Sequence, residues 1–164
     1  MRPLRFLLWL SLAGVLLVLD LWTKHLASQN LELYRPLPIN SWLNLTLAHN
    51  DGAAFSFLAG AGGWQRWFFT TVAVVVSGVL LIWLKRLPNH ARLLPVAIAL
   101  VLAGALGNMV DRIRLGYVVD FIDIHYGGWH WPAFNLADSV IVVGVILLLL
   151  EGFIPRRVHL QTRP

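Results

Sequence analysis

Asp120 and Asp138 stand in Val118-Val119-Asp120-Phe121 and Phe134-Asn135-Leu136-Ala137-Asp138-Ser139, two carboxylates in otherwise apolar surroundings. An Asp at the centre of a membrane helix costs on the order of 2.5–3.5 kcal/mol on insertion scales, so acids in such surroundings call for a reason. The chain has no cysteine, which removes thiolate nucleophiles, disulfides and Cys-bound metal together. Two carboxylates within reach of one water can share a proton. One then acts as base toward the water, the other as acid toward a carbonyl oxygen and a leaving amine. The chemistry this suggests is that of an aspartic protease working on a substrate in the membrane.

Each acid also has a plainer reading. Asp138 falls near the start of an apolar helix, where backbone N–H groups and the dipole hold a carboxylate; it could merely cap that helix, but Asn135 is better placed to do so. Asp120 shares a strand face with Val118, Ile122 and Ile124 by alternation, while Asp123 points the other way and reads as a solvated surface charge. His125 and His130, with Asp120 or Asp123, raise a metal site. Their spacing fits none of the usual ligand motifs, so no metal or cofactor is expected.

The elements that must position these groups are membrane spans. The chain is 58% hydrophobic and 13% charged, against about 25% charge in a soluble domain. Four apolar segments, residues 6–27, 67–84, 93–110 and 134–153, each approach the roughly 20 residues that cross a hydrocarbon core. A single domain covering residues 1–164 is expected. The fold class is an all-α membrane protein, with a small extracytoplasmic β region between helices 1 and 2 and between helices 3 and 4. Leu43, Leu45 and Leu47 alternate with Asn44, Thr46 and Ala48 as in a strand, and residues 117–126 followed by Gly127-Gly128 read as a hairpin.

Basic residues orient the spans. Arg2 and Arg5 precede the first, Lys85, Arg86 and Arg92 separate the second and third, and Arg156, Arg157 and Arg163 follow the fourth, so both termini are expected in the cytoplasm. The net charge of +5 is read as this topology signal, not as a nucleic-acid surface. The first segment also resembles a signal peptide, with an arginine-bearing start, an apolar run and Leu26-Ala27-Ser28 as a cleavage site, yet the apolar stretch is long and contains Asp20; cleavage would leave three spans and spoil the charge pattern, which favours a retained helix. In this layout Asp20, Asp111, Asp120 and Asp138 all collect at the outer boundary. Lys24, four residues after Asp20, reads as an i,i+4 partner at the interface, and Arg112 either bonds a carboxylate or lipid phosphate or anchors the helix by snorkelling. Gly104 and Gly107 either let helices approach or leave room for a peptide. An ion-relaying transporter would spread its acids through the membrane depth, which is not the pattern here; a non-catalytic relative of a peptidase would keep two like charges to no purpose.

Asn50-Asp51-Gly52-Ala53-Ala54-Phe55, the run from Gly104 to Arg112, Val119-Asp120-Phe121 and the run from Phe134 to Ser139, with Asp20 to Lys24, resemble the motifs of the bacterial lipoprotein signal peptidase (signal peptidase II) family. The resemblance covers most of the chain in order. It implies a four-helix aspartic peptidase of the bacterial inner membrane, its active site near the periplasmic face, that cuts prolipoproteins just before a diacylglyceryl-modified cysteine. Asp120 and Asp138 correspond to the catalytic dyad. Asn50, Gly52, Phe55, Gly104, Asn108, Arg112, Asn135 and Ala137 correspond to supporting or substrate-contacting positions, with Asp20, Lys24 and Asp111 in the same set. Partners implied are diacylglyceryl-modified prolipoproteins and membrane lipid, with the protein monomeric. Leu21 and Asp51 depart from the residues often found in the family at those positions, Gln and Thr.

Overall fold

The computed structural model describes residues 1–52 and 62–153. Phe55, and the basic residues expected after the fourth span, lie outside them. Four helices, α1 (Pro3–Asn30), α2 (Trp64–Arg86), α3 (Leu93–Leu115) and α4 (Leu136–Phe153), are each long and apolar enough to cross a membrane. They run past the expected spans at several ends, so Asp111 and Arg112 lie within α3.

The ends follow local chemistry. Pro3 opens α1 at a position whose N–H has no helical partner anyway. Gly116 closes α3 at φ 92°, its N–H donating to Arg112 O, a left-handed cap that a side chain would strain. Lys85 and Arg86 occupy the last turn of α2, where cations suit the dipole.

Helix α3 is the centre of the bundle and packs against α1, α2 and α4. Small residues allow this closeness. A Cβ at Gly104 would lie 2.3 Å from Ala137 O, and one at Gly144 2.7 Å from Val101 Cγ2, so both glycines set the α3–α4 approach. Leu80 and Leu84 of α2 pack with Ile98 and Leu102 of α3 in a core that also takes in Ala13 of α1. The outward faces of α1, α2 and α4 expose Leu, Val and Ile in numbers that water would not tolerate but lipid does.

Between the helices lies one antiparallel sheet in the order β1 (Leu37–Pro38), β2 (Leu43–Asn50), β3 (Val118–Tyr126) and β4 (Trp129–His130). Ala48 pairs with Asp120 and Asn50 with Val118, after a register shift between Leu45 and Ala48. The turn between β3 and β4 uses Gly127 and Gly128, both at positive φ. Leu47 and Val119 pack on Ala27 near the end of α1, with Leu31, Tyr117 and Phe121 around them. This seats the sheet on the bundle and turns Asp120 to its other face.

One expectation is overturned here. Asp123 is not a solvated charge: it is 6% exposed and accepts hydrogen bonds from Asn44 Nδ2 (3.1 Å) and Thr46 Oγ1 (3.0 Å), with His130 Nδ1 at 2.8 Å. Alternation did send it to the opposite face from Asp120, but that face carries its own polar partners. Burial raises this carboxyl, and the contacts from His130, Asn44 and Thr46 outweigh burial and hold it below the ordinary carboxylate range. His125 and His130 stack with ring centroids 5.2 Å apart.

Candidate active site

Asp120 and Asp138 line one cavity of about 640 Å³, walled by β2, β3, the segment from Trp131 to Phe134, α3 and α4. Sequence neighbours do not bring them together. Asp120 comes from β3, on the face opposite Val119, and Asp138 from the first turn of α4.

Three asparagines hold the pair. Asn50 Nδ2 donates to Asp120 Oδ2 (3.1 Å), and Asn135 Nδ2 to Asp120 Oδ1 (2.7 Å). Asn108 Nδ2 donates to Asp138 Oδ1 (2.8 Å), and the Asn135 backbone N–H to Asp138 Oδ2 (3.2 Å). All four carboxylate oxygens therefore accept an amide N–H, and among the described residues no ion pair joins a cation to either group. Asn135 caps α4, accepting the Asp138 N–H on its Oδ1 (2.9 Å), so Asn135 and Asp138 form a reciprocal cap in which Asp138 also faces the cavity. The capping and functional readings of Asp138 hold together.

The asparagine amides are themselves oriented. Lys24 Nζ donates to Asn108 Oδ1 (2.9 Å), which leaves the Asn108 N–H₂ end facing Asp138. Gly52 N–H donates to Asn50 Oδ1 (3.0 Å), and Arg112 Nη2 donates to Gly52 O (2.8 Å). Arg112 thus grips the turn after β2, with its guanidinium 5.1 Å from the Phe69 ring centre. Among the described residues it makes no carboxylate ion pair, and at 9% exposure it is a buried clamp, not a snorkelling anchor.

Behind the asparagines sits a buried ionic triad. Lys24 Nζ lies 2.9 Å from Asp20 Oδ2 and 3.0 Å from Asp111 Oδ2. Asp20 Oδ1 accepts the Ala137 N–H (2.8 Å), and Asp111 Oδ2 accepts the Val119 N–H (3.2 Å). One acid fixes the first turn of α4, beside Asp138; the other fixes the start of β3, beside Asp120. Lys24, expected at the interface, is 2% exposed, because helices α3 and α4 close over it. A Cβ at Gly107 would sit 2.3 Å from Asp20 Oδ2, so that glycine makes space for the triad. Gly104, left open between two roles, serves helix approach, and Ala137 supplies its N–H and a compact side chain.

Asp120 is 2% exposed. Burial first, and the Asp138 charge second, push its carboxyl up from 3.8 to about 7, against the lowering effect of Asn50, Asn135 and Lys24. Near neutrality the Asp120 carboxyl is therefore only partly ionised.

The sequence profile described as Signal peptidase (SPase) II matches residues 12–154. The chain belongs to the signal peptidase II family. As a member of that family it is a peptidase and a multi-pass protein of the bacterial inner membrane. It is 57% identical over 147 residues to the lipoprotein signal peptidase of Acinetobacter baumannii (strain ATCC 17978), covering 90% of this chain and 84% of that relative. With the lipoprotein signal peptidase of Ectopseudomonas mendocina (strain ymp) the identity is 54%, covering 88% and 87%. A bacterial membrane enzyme solved by the in meso method at 2.3 Å resolution superposes with a TM-score of 0.80 at 31% identity, over 92% of this chain and 88% of that one. A second such structure, at 1.9 Å, gives 0.79 and 30%, over 95% and 97%.

Within this signal peptidase II family member, every expected site residue among the described residues falls in or directly behind the dyad cavity. Sequence reasoning missed the remainder of the wall, notably Tyr34, Trp131, Ile141 and Val142. The last two had a signal: they follow Asp138 by three and four residues, the spacing of one helix face. Tyr34 had none, since its place depends on a loop that returns beside β2 and holds it at φ 58°.

Proposed function

We propose that Asp120 and Asp138 are the catalytic dyad, and that the substrate is a diacylglyceryl-modified prolipoprotein cut just before its lipidated cysteine. The observation that carries this reading is the pair of carboxylates in one cavity, each oxygen held by an amide N–H and, among the described residues, neither group in an ion pair with a cation. That arrangement fixes two acids in place while leaving a single shared proton to do the chemistry. One proton serves the pair as a unit; in the cycle that follows it starts on Asp120, and Asp138 is the base.

Water between them loses a proton to Asp138 and adds to the scissile carbonyl carbon, while the Asp120 proton passes to the carbonyl oxygen. The tetrahedral diol then collapses: the C–N bond breaks, the amine takes a proton from Asp138, and a diol hydroxyl returns one to Asp120. The pair ends with one proton, as it began.

The basic end of the bundle faces the cytoplasm and the dyad the outer side. Met1 N donates to Lys85 O (3.1 Å) and Arg2 N–H to Asn89 Oδ1 (2.7 Å), which gathers the start of α1 and the α2–α3 connection at one end, as the positive-inside rule requires of cytoplasmic segments. A dyad at the other end suits a substrate whose signal helix lies in the bilayer.

The test is cleavage of lipidated and unlipidated precursors by the purified protein, beside Asp120→Asn and Asp138→Asn. Lipidated precursor is cut, unlipidated precursor poorly, and neither variant turns over. Near-normal turnover by either variant overturns the dyad, and equal rates for the two precursors remove the lipid from recognition.

A further inference from the structure

The segment from Trp131 to Phe134 walls the dyad cavity beside the sheet, and backbone bonds hold it to β3 at its two ends. At Phe134 the N–H donates to Ile122 O (3.0 Å), and the carbonyl accepts the N–H groups of Phe121 (3.0 Å) and Ile122 (2.8 Å). At Trp131 the N–H donates to Ile124 O (2.8 Å). Pro132, between them, has no N–H to give. The attachment at Trp131 is the weaker of the two. It continues into β4, a strand of two residues, and then into the Gly127-Gly128 turn, and so short a two-stranded ribbon has little stability of its own.

One side chain reinforces that end. His130, the residue before Trp131, sets its Nδ1 2.8 Å from Asp123 Oδ1 on the face of the sheet opposite Asp120. Asp123 Oδ2 accepts from Asn44 and Thr46 of β2, so the acid ties β4 to both central strands. Asp123 is buried, whereas the His130 side chain is 49% exposed and its ring meets the solvent. Of the other groups packed here, β3 brings His125, whose ring stacks on that of His130, and β2 brings Asn44 and Thr46, which carry no charge.

We propose that Asp123 and His130 are positioning residues for this cavity wall, and that the charge on the His130 ring makes substrate binding depend on pH from the far face of the sheet. This rests on the reading above, in which the cavity is the substrate site. A charged ring makes an ion pair with Asp123; a neutral one leaves a hydrogen bond. An imidazole changes charge between about pH 5 and 8. Burial raises the Asp123 carboxyl, but the contacts from His130, Asn44 and Thr46 outweigh it and hold the acid below the ordinary carboxylate range, so it stays ionised throughout. The ion pair is therefore present on the acid side and lost as the pH rises, and the wall is then held less firmly. Asn135, the next residue after the wall, does not follow. Its Nδ2 is fixed on Asp120 Oδ1 and Val119 O, and its Oδ1 on the Asp138 N–H. The dyad keeps its geometry, and the effect falls on KM, not on kcat.

The experiment uses the full-length protein in lipid nanodiscs with a diacylglyceryl-modified precursor, and measures KM and kcat from about pH 5.5 to pH 8. His130→Lys keeps a cation across this range, and His130→Gln keeps only a neutral donor. A half-exposed ion pair is weak, worth a few-fold in an equilibrium. The KM of the unaltered protein divided by that of His130→Lys should therefore rise about two- to fivefold over the range. The same quotient against His130→Gln should lie below one at the acid end and approach one at the alkaline end. Taking quotients cancels the titration of the dyad itself. Asp123→Asn, which leaves the ring in place, should behave as His130→Gln does, and kcat of each variant should stay within about twofold of the unaltered value. Quotients that do not change with pH, a loss carried by kcat, or a pH response that survives in His130→Gln and disappears in His125→Phe would overturn the proposal. Failure of the underlying reading is separate: the unaltered protein would cut no precursor at any pH, or Asp120→Asn would still cut.

Discussion

Replacing Asp120 with Asn should destroy activity and yet stabilise the protein above neutral pH. The Asp120 carboxyl is raised from 3.8 to about 7 by burial and by Asp138, so ionising it in the folded protein is unfavourable. At about 1.4 kcal/mol per tenfold change in proton affinity, the penalty is on the order of 4 kcal/mol. Its sign follows from the folded value exceeding the unfolded one. The penalty is absent below pH 3.8, grows as the pH rises toward 7, and is complete above that. The amide carries no such charge, but one of the two oxygens that accept Asn135 and Asn50 becomes an N–H₂ group facing a donor, at about 1–3 kcal/mol. The variant should therefore be less stable than the unaltered protein at pH 4 and more stable by about 1–3 kcal/mol at pH 8.5. Thermal unfolding in detergent micelles, followed through the eight tryptophans, reads the difference at both pH values. A stability difference of one sign and size at both would refute the argument that the Asp120 charge is held at a cost.

The same proton sets the alkaline limb of turnover: kcat/KM should fall as pH rises through about 7, and a profile flat to pH 9 would exclude a shared proton as the working state. Lys24→Met leaves Asp20 and Asp111 buried without their cation and should cost about 3–5 kcal/mol in the same unfolding assay. Asp123→Asn should lower stability by about 1–3 kcal/mol through its lost contacts with Asn44, Thr46 and His130, while kcat stays within about twofold of normal because Asp123 does not line the dyad cavity. In intact cells, a cysteine at Ser41 should react with an impermeant thiol reagent and one at His90 should not; the reverse pattern would invert the orientation drawn from the basic residues.

Much of this architecture was legible in the amino-acid order because the membrane makes strong demands on it. Apolar runs of about 20 residues, basic flanks and a period-two stretch at Leu43 to Leu47 specify helices, their order and a strand through local chemistry alone. The candidate site residues were legible through motifs, since Asp120 and Asp138 are anomalous where they stand. What these residues touch was not. Asp123 read as a solvated surface charge and Lys24 as an interfacial i,i+4 partner of Asp20, because a carboxylate on a strand or a lysine at a helix end gives no local sign of partners such as Asn44 or Asp111, 79 and 87 residues away. The i,i+4 spacing of Lys24 to Asp20 disclosed one contact of the triad. Only the closure of α3 and α4 over α1 supplied Asp111, Asn108 and Ala137 and buried the group. Likewise the chain shows two acids 18 positions apart, whereas a single cavity is made from them by the register of β2 on β3 and the capped first turn of α4. Local sequence dictates backbone habit at short range, but the partners of a buried charge are set by long-range packing, and here that packing turns two isolated acids into a pair.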